Sequence, residues 1–267
     1  MSKVLASASE ERDRTMKWLI VGTALLMSFP FMTRAAATEP VAISVVNGAT
    51  SRAQPQGRFE LLVSIPGSNG GIFHTWQLLD QAEWNSQWTT YTPIPDNNPH
   101  GLVSGRDGIG RIAVAWISKG AICFKEAIHP NESLSPQPSQ PPLTILPIMD
   151  PFDKKAHKFT YLAMATNPNG LVEVLALTDR GRVFSIKQTS LTISNALWLG
   201  NAAPTLIGGG DLQSISVTTL KTSLALAAVG KDGKVYVKFQ TIPGTWDADP
   251  WQNLDGNKIQ EVHGSCQ

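Results

Sequence analysis

From Thr38 onward the apolar residues fall in short runs, some alternating and some continuous, with no helical period. Gly, Pro, Asn and Asp punctuate the runs. This pattern predicts short strands joined by turns. A first set of four strands is expected at Val41–Val46, Arg58–Ile65, Gly71–Leu78 and Trp88–Ile94. A second is expected at Gly101–Gly105, Gly110–Ile117, Gly120–Ala127 and Leu143–Met149. A third spans Thr160–Thr166, Leu171–Leu177, Gly181–Gln188 and Ala196–Leu199. A fourth spans Ile215–Leu220, Ser223–Val229, Gly233–Gln240 and Trp251–Leu254.

The four sets repeat one another most clearly at the turn between their second and third strands. Asp179-Arg180-Gly181-Arg182-Val183-Phe184 matches Lys231-Asp232-Gly233-Lys234-Val235-Tyr236. Asn69-Gly70-Gly71-Ile72-Phe73 and Ser118-Lys119-Gly120-Ala121-Ile122 follow the same plan. Each places a glycine where a tight hairpin needs a positive φ. The second strands start near 58, 111, 171 and 223, at spacings of 53, 60 and 52 residues. The long spacing contains 129–142, HPNESLSPQPSQPP, which reads as an exposed loop.

Four-stranded units at this period predict an all-β chain, a β-propeller of antiparallel blades. A blade cannot bury both faces alone, and Leu171–Leu177 is apolar enough to be buried on both. A β-sandwich is the alternative if the repeat is accidental. Lys258–His263 reads as one extra strand, which leaves open a five-bladed or an incomplete ring.

The first 37 residues stand apart. Lys17, the apolar run Trp18–Met32 and Ala35-Ala36-Ala37 read as a signal peptide cleaved after Ala37, with 38–267 as the propeller domain. The run is broken by Pro30 and falls short of the roughly 20 apolar residues of a spanning helix. A membrane anchor is the alternative. The expected location is secreted or periplasmic, with no membrane span after cleavage.

Cleavage leaves 17 basic and 18 acidic residues, a net charge of −1. No basic run stands out, so nucleic acid is not an expected partner. Cys123 and Cys266 are the only cysteines, and both a disulfide and a buried free thiol at Cys123 remain open.

Catalytic signals are absent from the sequence. The five histidines form no metal-binding spacing, and there is no Gly-x-Ser-x-Gly elbow. Asp107-Gly108-Ile109-Gly110 and Gly208-Gly209-Gly210-Asp211 read as turns rather than phosphate loops. No catalytic residue, metal or cofactor is expected. The aromatic signal is stronger: Trp76, Trp84 and Trp88 lie within thirteen residues, with Trp246 and Trp251 at the corresponding place in the fourth unit. An indole face suits the C–H face of a sugar, but equally suits packing between blades. Arg58 and His74 sit on facing strands of the same unit.

Gly57-Arg58-Phe59-Glu60-Leu61-Leu62-Val63, Ile72-Phe73-His74-Thr75-Trp76-Gln77 and Trp84-Asn85-Ser86-Gln87-Trp88 resemble the repeat of PLL-type bacterial fucose-binding propeller lectins, with tectonins as more distant look-alikes. The resemblance covers about residues 41–263. It implies sugar binding in clefts between neighbouring blades, with Arg58, His74, Trp76, Trp84 and Trp88 as the matching positions and glycans or glycoconjugates as partners. The motif His-x-Trp-Gln becomes Ser185-Ile186-Lys187-Gln188 in the third unit and Val237-Lys238-Phe239-Gln240 in the fourth. A propeller that serves as a protein-interaction module is the alternative, and a glycan-processing enzyme a third.

Overall fold

The computed structural model describes residues 43–47, 59–65, 71–77, 84–93, 99–126, 143–145, 147–149, 152, 154–191, 204–248 and 250–254. The chain divides into Met1–Pro40 and Val41–Gln267, and the described residues all belong to the second part. The expected leader, Arg58, Cys266 and the expected strands Ala196–Leu199 and Lys258–His263 lie outside them.

Four antiparallel sheets follow one another along the chain. Blade one holds β1 (Ile43–Asn47), β2 (Phe59–Ile65), β3 (Gly71–Trp76) and β4 (Thr89–Pro93). Blade two holds β5 (His100–Arg106), β6 (Ile112–Ser118), β7 (Ala121–Glu126) and β8 (Leu143–Ile145). A two-stranded ribbon, β9 (Ile148–Met149) with β10 (Ala156–His157), precedes blade three. Blade three holds β11 (Phe159–Thr166), β12 (Val172–Thr178), β13 (Arg182–Lys187) and β14 (Thr205–Gly209). Blade four holds β15 (Leu212–Thr219), β16 (Leu224–Gly230) and β17 (Val235–Ile242), with β18 (Thr245–Trp246) and β19 (Gln252–Leu254) both on β17. The first strands β1, β5, β11 and β15 lie side by side in that order. This is a β-propeller of four-stranded blades.

In blade three Thr205–Gly209 is the described strand beside β13, with Phe184 opposite Leu206, and the expected strand Ala196–Leu199 lies outside the described residues. One expected strand differs. The expected Leu143–Met149 splits in two, because Pro147 has no N–H to give a ladder.

Cross-strand partners share a sheet face, and successive residues alternate faces. Each blade therefore has a forward face and a rear face, and among the described residues three seams form where one blade's forward face meets the next blade's rear face. In the first seam Leu62 and Ile72 pack on Ile112, Val114 and Trp116. In the second Ala115, Ile117 and Phe124 pack on Val174, Phe184 and Ile186. In the third Leu175, Leu177 and Val183 pack on Leu226 and Ala228. Strands β6 and β12 serve two seams at once and are buried almost throughout. Each large apolar side chain in a seam contributes about 1.5–3 kcal/mol by leaving water.

The blades also touch through backbone. The turns before β6 and β12 meet where the Gly108 N–H donates to the Gly170 oxygen at 2.8 Å. A Cβ on Gly108 would stand 2.7 Å from the Gly170 Cα, so both positions require glycine. The strand ends next to the inner edge are tied by hydroxyls. Thr166 Oγ1 donates to the Arg106 oxygen at 2.5 Å, and Thr219 Oγ1 to the Thr166 oxygen at 2.8 Å. These partners are 60 and 53 residues apart, the repeat spacing itself.

Candidate functional site

The motif glutamine closing the third strand has a clear structural task. In blade three the Gln188 N–H donates to the Val172 oxygen at 2.9 Å, while Gln188 Oε1 accepts the Val172 N–H at 3.0 Å. In blade four Gln240 Oε1 accepts the Leu224 N–H at 3.1 Å. In blade one the Gln77 N–H donates to the Phe59 oxygen at 3.0 Å. The side chain supplies the acceptor that the β2-type strand lacks where its ladder ends.

The side-chain amides then reach across the seams to buried carboxylates. Gln188 Nε2 donates to Asp107 Oδ2 at 3.3 Å and Glu126 Oε1 at 3.2 Å, beside Arg111, which pairs with both acids. Gln240 Nε2 donates to Glu173 Oε2 at 2.7 Å. Glu173 also accepts from Asn167 Nδ2 at 3.0 Å, from Trp246 Nε1 at 2.6 Å and from Ser185 Oγ. These acids hold the seams, and their oxygens are occupied.

The register fixes what the nominated residues of blade one do. Glu60 pairs with Trp76 and Leu62 with His74, as Glu173 pairs with Lys187 and Leu175 with Ser185. Glu60 and His74 are thus the counterparts of Glu173 and Ser185. His74 Nδ1 lies 3.5 Å from Glu60 Oε2, and the two side chains are 1% and 0% exposed. His74 is a seam residue and presents no surface to a ligand. Trp76 is half-buried, its ring 5.5 Å from that of His74. Trp84 bridges Gln77 as Trp246 pairs with Gln240, so Trp84 and Trp246 are also counterparts. Trp84 is half-buried, and only Trp88 among the described four is open to solvent, at 39%. Of the nominated residues, His74 and Trp76 are in ring contact, with Trp84 on the adjoining bridge, Trp88 stands apart as the exposed one, and Arg58 lies outside the described residues.

Trp88 has a counterpart in blade four. It precedes β4, whose Thr89 pairs with His74, as Trp251 precedes β19, whose Gln252 pairs with Val237. Trp251 lines a cleft of about 440 Å³ between blades three and four, with Tyr236, Asp211, Lys231, Asp232 and the backbone of Gly209, Gly210 and Gly230. The volume is that of a small-ligand pocket.

Local chemistry builds this cleft. The chain crosses from β14 to β15 through Gly208 and Gly209, at φ 121° and 92°, and Asp211, at φ 61°. The missing side chain at Gly208 lets the Trp251 indole lie against the crossing: a Cβ there would be 3.4 Å from Nε1. The crossing is pinned on both sides. The Asp211 N–H donates to the Arg180 oxygen at 3.2 Å, and the Lys231 N–H to the Asp211 oxygen at 2.7 Å. Lys231 Nζ stands 3.1 Å from Asp211 Oδ1, both side chains being more than half exposed.

Opposite them Asp232 folds its own turn. Its Oδ1 accepts the Lys234 N–H at 3.0 Å and its Oδ2 the Tyr236 hydroxyl at 2.7 Å. The Tyr236 bond first, then the Lys234 N–H, holds the Asp232 carboxyl below its ordinary range. The same bond pushes the Tyr236 hydroxyl above its ordinary value. The cleft thus offers two aromatic rings, an ammonium, two carboxylates and a phenolic oxygen. Asp211, Lys231, Asp232 and Tyr236 were not nominated from the sequence, which reads the first three as turn residues and Tyr236 as part of a strand. The Trp88–Trp251 correspondence was the available signal.

Among the described residues no group of three His, Cys, Asp or Glu is placed to hold a metal, and no helix is long and apolar enough to cross a membrane. Cys123 is buried, its Sγ 3.9 Å from Thr144 Oγ1.

No family model matches the chain, and no curated protein matches it. Solved structures similar to it include AofleA from Arthrobotrys oligospora, at 10% identity and TM-score 0.49, over 82% of this chain and 57% of that one. A mutant of the Aleuria aurantia lectin AAL in complex with Fucα1-6GlcNAc is 10% identical, at TM-score 0.45, over 78% and 61% of the two chains. The α-L-arabinofuranosidase PaAbf62A from Podospora anserina, in complex with cellotriose, is 12% identical, at TM-score 0.49, over 82% and 67%. The chain spans less than two thirds of the length of the first two. At such identities the likeness reaches no further than the fold.

Proposed function

We propose that this protein is a carbohydrate-binding, lectin-like β-propeller that is exported and has no catalytic activity. The observation that carries this reading is the cleft where Trp251 and Tyr236 share a wall with Asp211, Lys231 and Asp232. An aromatic wall takes the C–H face of a sugar ring, and the charged rim takes its hydroxyls. A neutral glycan is the partner class that uses both. The leader-like residues 17–37 support export.

The described carboxylates Asp232, Glu173, Asp107 and Glu126 support binding rather than hydrolysis. A glycosidase needs one acid held protonated near neutral pH. The Asp232 carboxyl is shifted in the opposite direction. Glu173, Asp107 and Glu126 are engaged in the seams.

The test is a glycan array probed with the purified protein, followed by calorimetry on any hit. At least one immobilised sugar should bind, and Trp251→Ala should lose that binding while the protein stays folded. An array with no binding to any sugar overturns the reading.

A further inference from the structure

Asp232 Oδ2 and the Tyr236 oxygen stand 2.7 Å apart on the wall of the blade-four cleft, with the phenolic proton donated to the carboxylate. Because that proton is committed, the Tyr236 oxygen turns only lone pairs outward. Asp232 Oδ1 takes the Lys234 N–H at 3.0 Å. A carboxylate has about four lone-pair sites, so about two remain on Asp232. Among the described residues no other side chain bonds to either group.

Local geometry holds this pair in place. The Gly230 N–H donates to the Lys234 oxygen and the Gly233 N–H to the Gly230 oxygen, both at 2.9 Å, which closes the turn that carries Asp232. A Cβ on Gly230 would stand 2.5 Å from Asp232 Oδ1 and 2.8 Å from Tyr236 Cε2, so the pair needs a glycine beside it. Blade three has a turn of the same length, and it carries Thr178, Arg180 and Phe184 at these three places. The glycine, the acid and the phenol therefore occur together in blade four and not in blade three. Elsewhere in the lining the side-chain donors are Lys231, paired with Asp211, and Trp251, whose Nε1 is covered.

Two acceptors side by side, neither with a proton to offer, complement two donors side by side. In a sugar ring that is a pair of free hydroxyls on adjacent carbons, whose gauche oxygens stand at about the spacing of a hydrogen-bonded pair. We infer, resting on the carbohydrate reading of this cleft, that Asp232 and Tyr236 are its specificity-determining pair and read a vicinal diol. One hydroxyl donates to the Asp232 carboxylate, its neighbour donates to the Tyr236 oxygen, and the ring lies on Trp251. A sugar with either hydroxyl missing or methylated leaves an acceptor facing nothing. A carboxylate or sulfate ester at either place brings acceptors to acceptors and is refused.

Titration calorimetry of the purified protein with the methyl glycosides of glucose, galactose, mannose and fucose, each with its monodeoxy and mono-O-methyl derivatives, tests this. For a glycoside that binds, removing or methylating either of two hydroxyls on adjacent carbons should weaken binding about tenfold, and changes elsewhere on the ring less than about threefold. Tyr236→Phe should bind the full sugar about tenfold more weakly and should no longer distinguish it from the derivative lacking one of those hydroxyls. Asp232→Ala should do the same for the neighbouring hydroxyl. The derivative series on the unaltered protein decides the matter even where a variant fails to fold. Sensitivity at one hydroxyl only, at two that are not adjacent, or penalties unchanged in both folded variants overturn the diol assignment while leaving sugar binding intact. If none of the four glycosides binds, the pair reads no diol of this kind, and the glycan array decides separately whether the cleft takes another carbohydrate.

Discussion

Gln240 of β17 places its side-chain nitrogen 2.7 Å from Glu173 Oε2 of β12, a hydrogen bond from blade four to the carboxylate of blade three. Asn167, Ser185 and Trp246 donate to the same carboxylate. All four partners are donors, and Glu173 is fully buried. Glu173→Ala leaves them without an acceptor and should cost about 3–5 kcal/mol of stability, the scale for breaking a buried charged network. Glu173→Gln should cost nearly as much, because its amide nitrogen would face donors. Urea denaturation of both variants checks this. A loss under about 1 kcal/mol in the alanine variant would show that the network is not holding the seam.

The Gly108–Gly170 contact predicts a second structural failure. Gly108→Ala forces a methyl to 2.7 Å from the Gly170 Cα. Gly170→Ala meets the Gly108 Cα at 2.9 Å and also strains a φ of 85°. Each should lower stability by about 1–3 kcal/mol, through overpacking and, at Gly170, backbone strain. Thermal melting resolves losses of that size, and an unchanged midpoint would mean the two turns separate freely.

The tryptophans should divide by role. Trp84→Ala and Trp246→Ala should destabilise, since Trp246 donates to Glu173 and Trp84 holds the same place in blade one. Trp251→Ala should weaken sugar binding at least tenfold, about 1.4 kcal/mol, with a smaller effect on stability. Trp88→Ala, at an exposed position, should leave stability unchanged within about 0.5 kcal/mol. Calorimetric titration beside melting curves separates the two kinds of effect. Sugar binding that follows Trp84 and ignores Trp251 would move the site to blade one.

The Asp232–Tyr236 bond gives a pH signature. The Asp232 carboxyl lies below its ordinary value of 3.8, so its contribution is complete above that value and is lost as pH falls through the depressed one. The Tyr236 hydroxyl lies above its ordinary value of 10.0, so the bond is complete below that and is lost as pH rises through the raised value. Sugar binding should be flat between about pH 5 and 9. Tyr236→Phe should return the Asp232 carboxyl toward 3.8, read by carboxyl-carbon NMR titration. An unmoved titration would place Asp232 outside the influence of Tyr236.

The strands were legible because their cause is local. Alternation and turn glycines placed β2 and β3 to within two residues and marked the hairpins at Gly120, Gly181 and Gly233, all at positive φ. The repeat spacing reappears in the hydroxyl bonds between inner strands. Where a proline interrupts the ladder, as at Pro147, one expected strand became two.

The sequence by itself determined the blades and their order, because period-two burial and hairpin geometry are written in neighbouring residues. It also singled out Trp84 and Trp88 as aromatic positions of the repeat, without showing what they face. Only the tertiary structure decided that His74 faces Glu60 inside a seam, that Gln240 reaches a carboxylate 67 residues away, and that a glycine crossing meets Trp251 in a cleft. Those relationships depend on which blade faces meet, and blade stacking leaves no local trace in a strand that alternates equally well toward either neighbour.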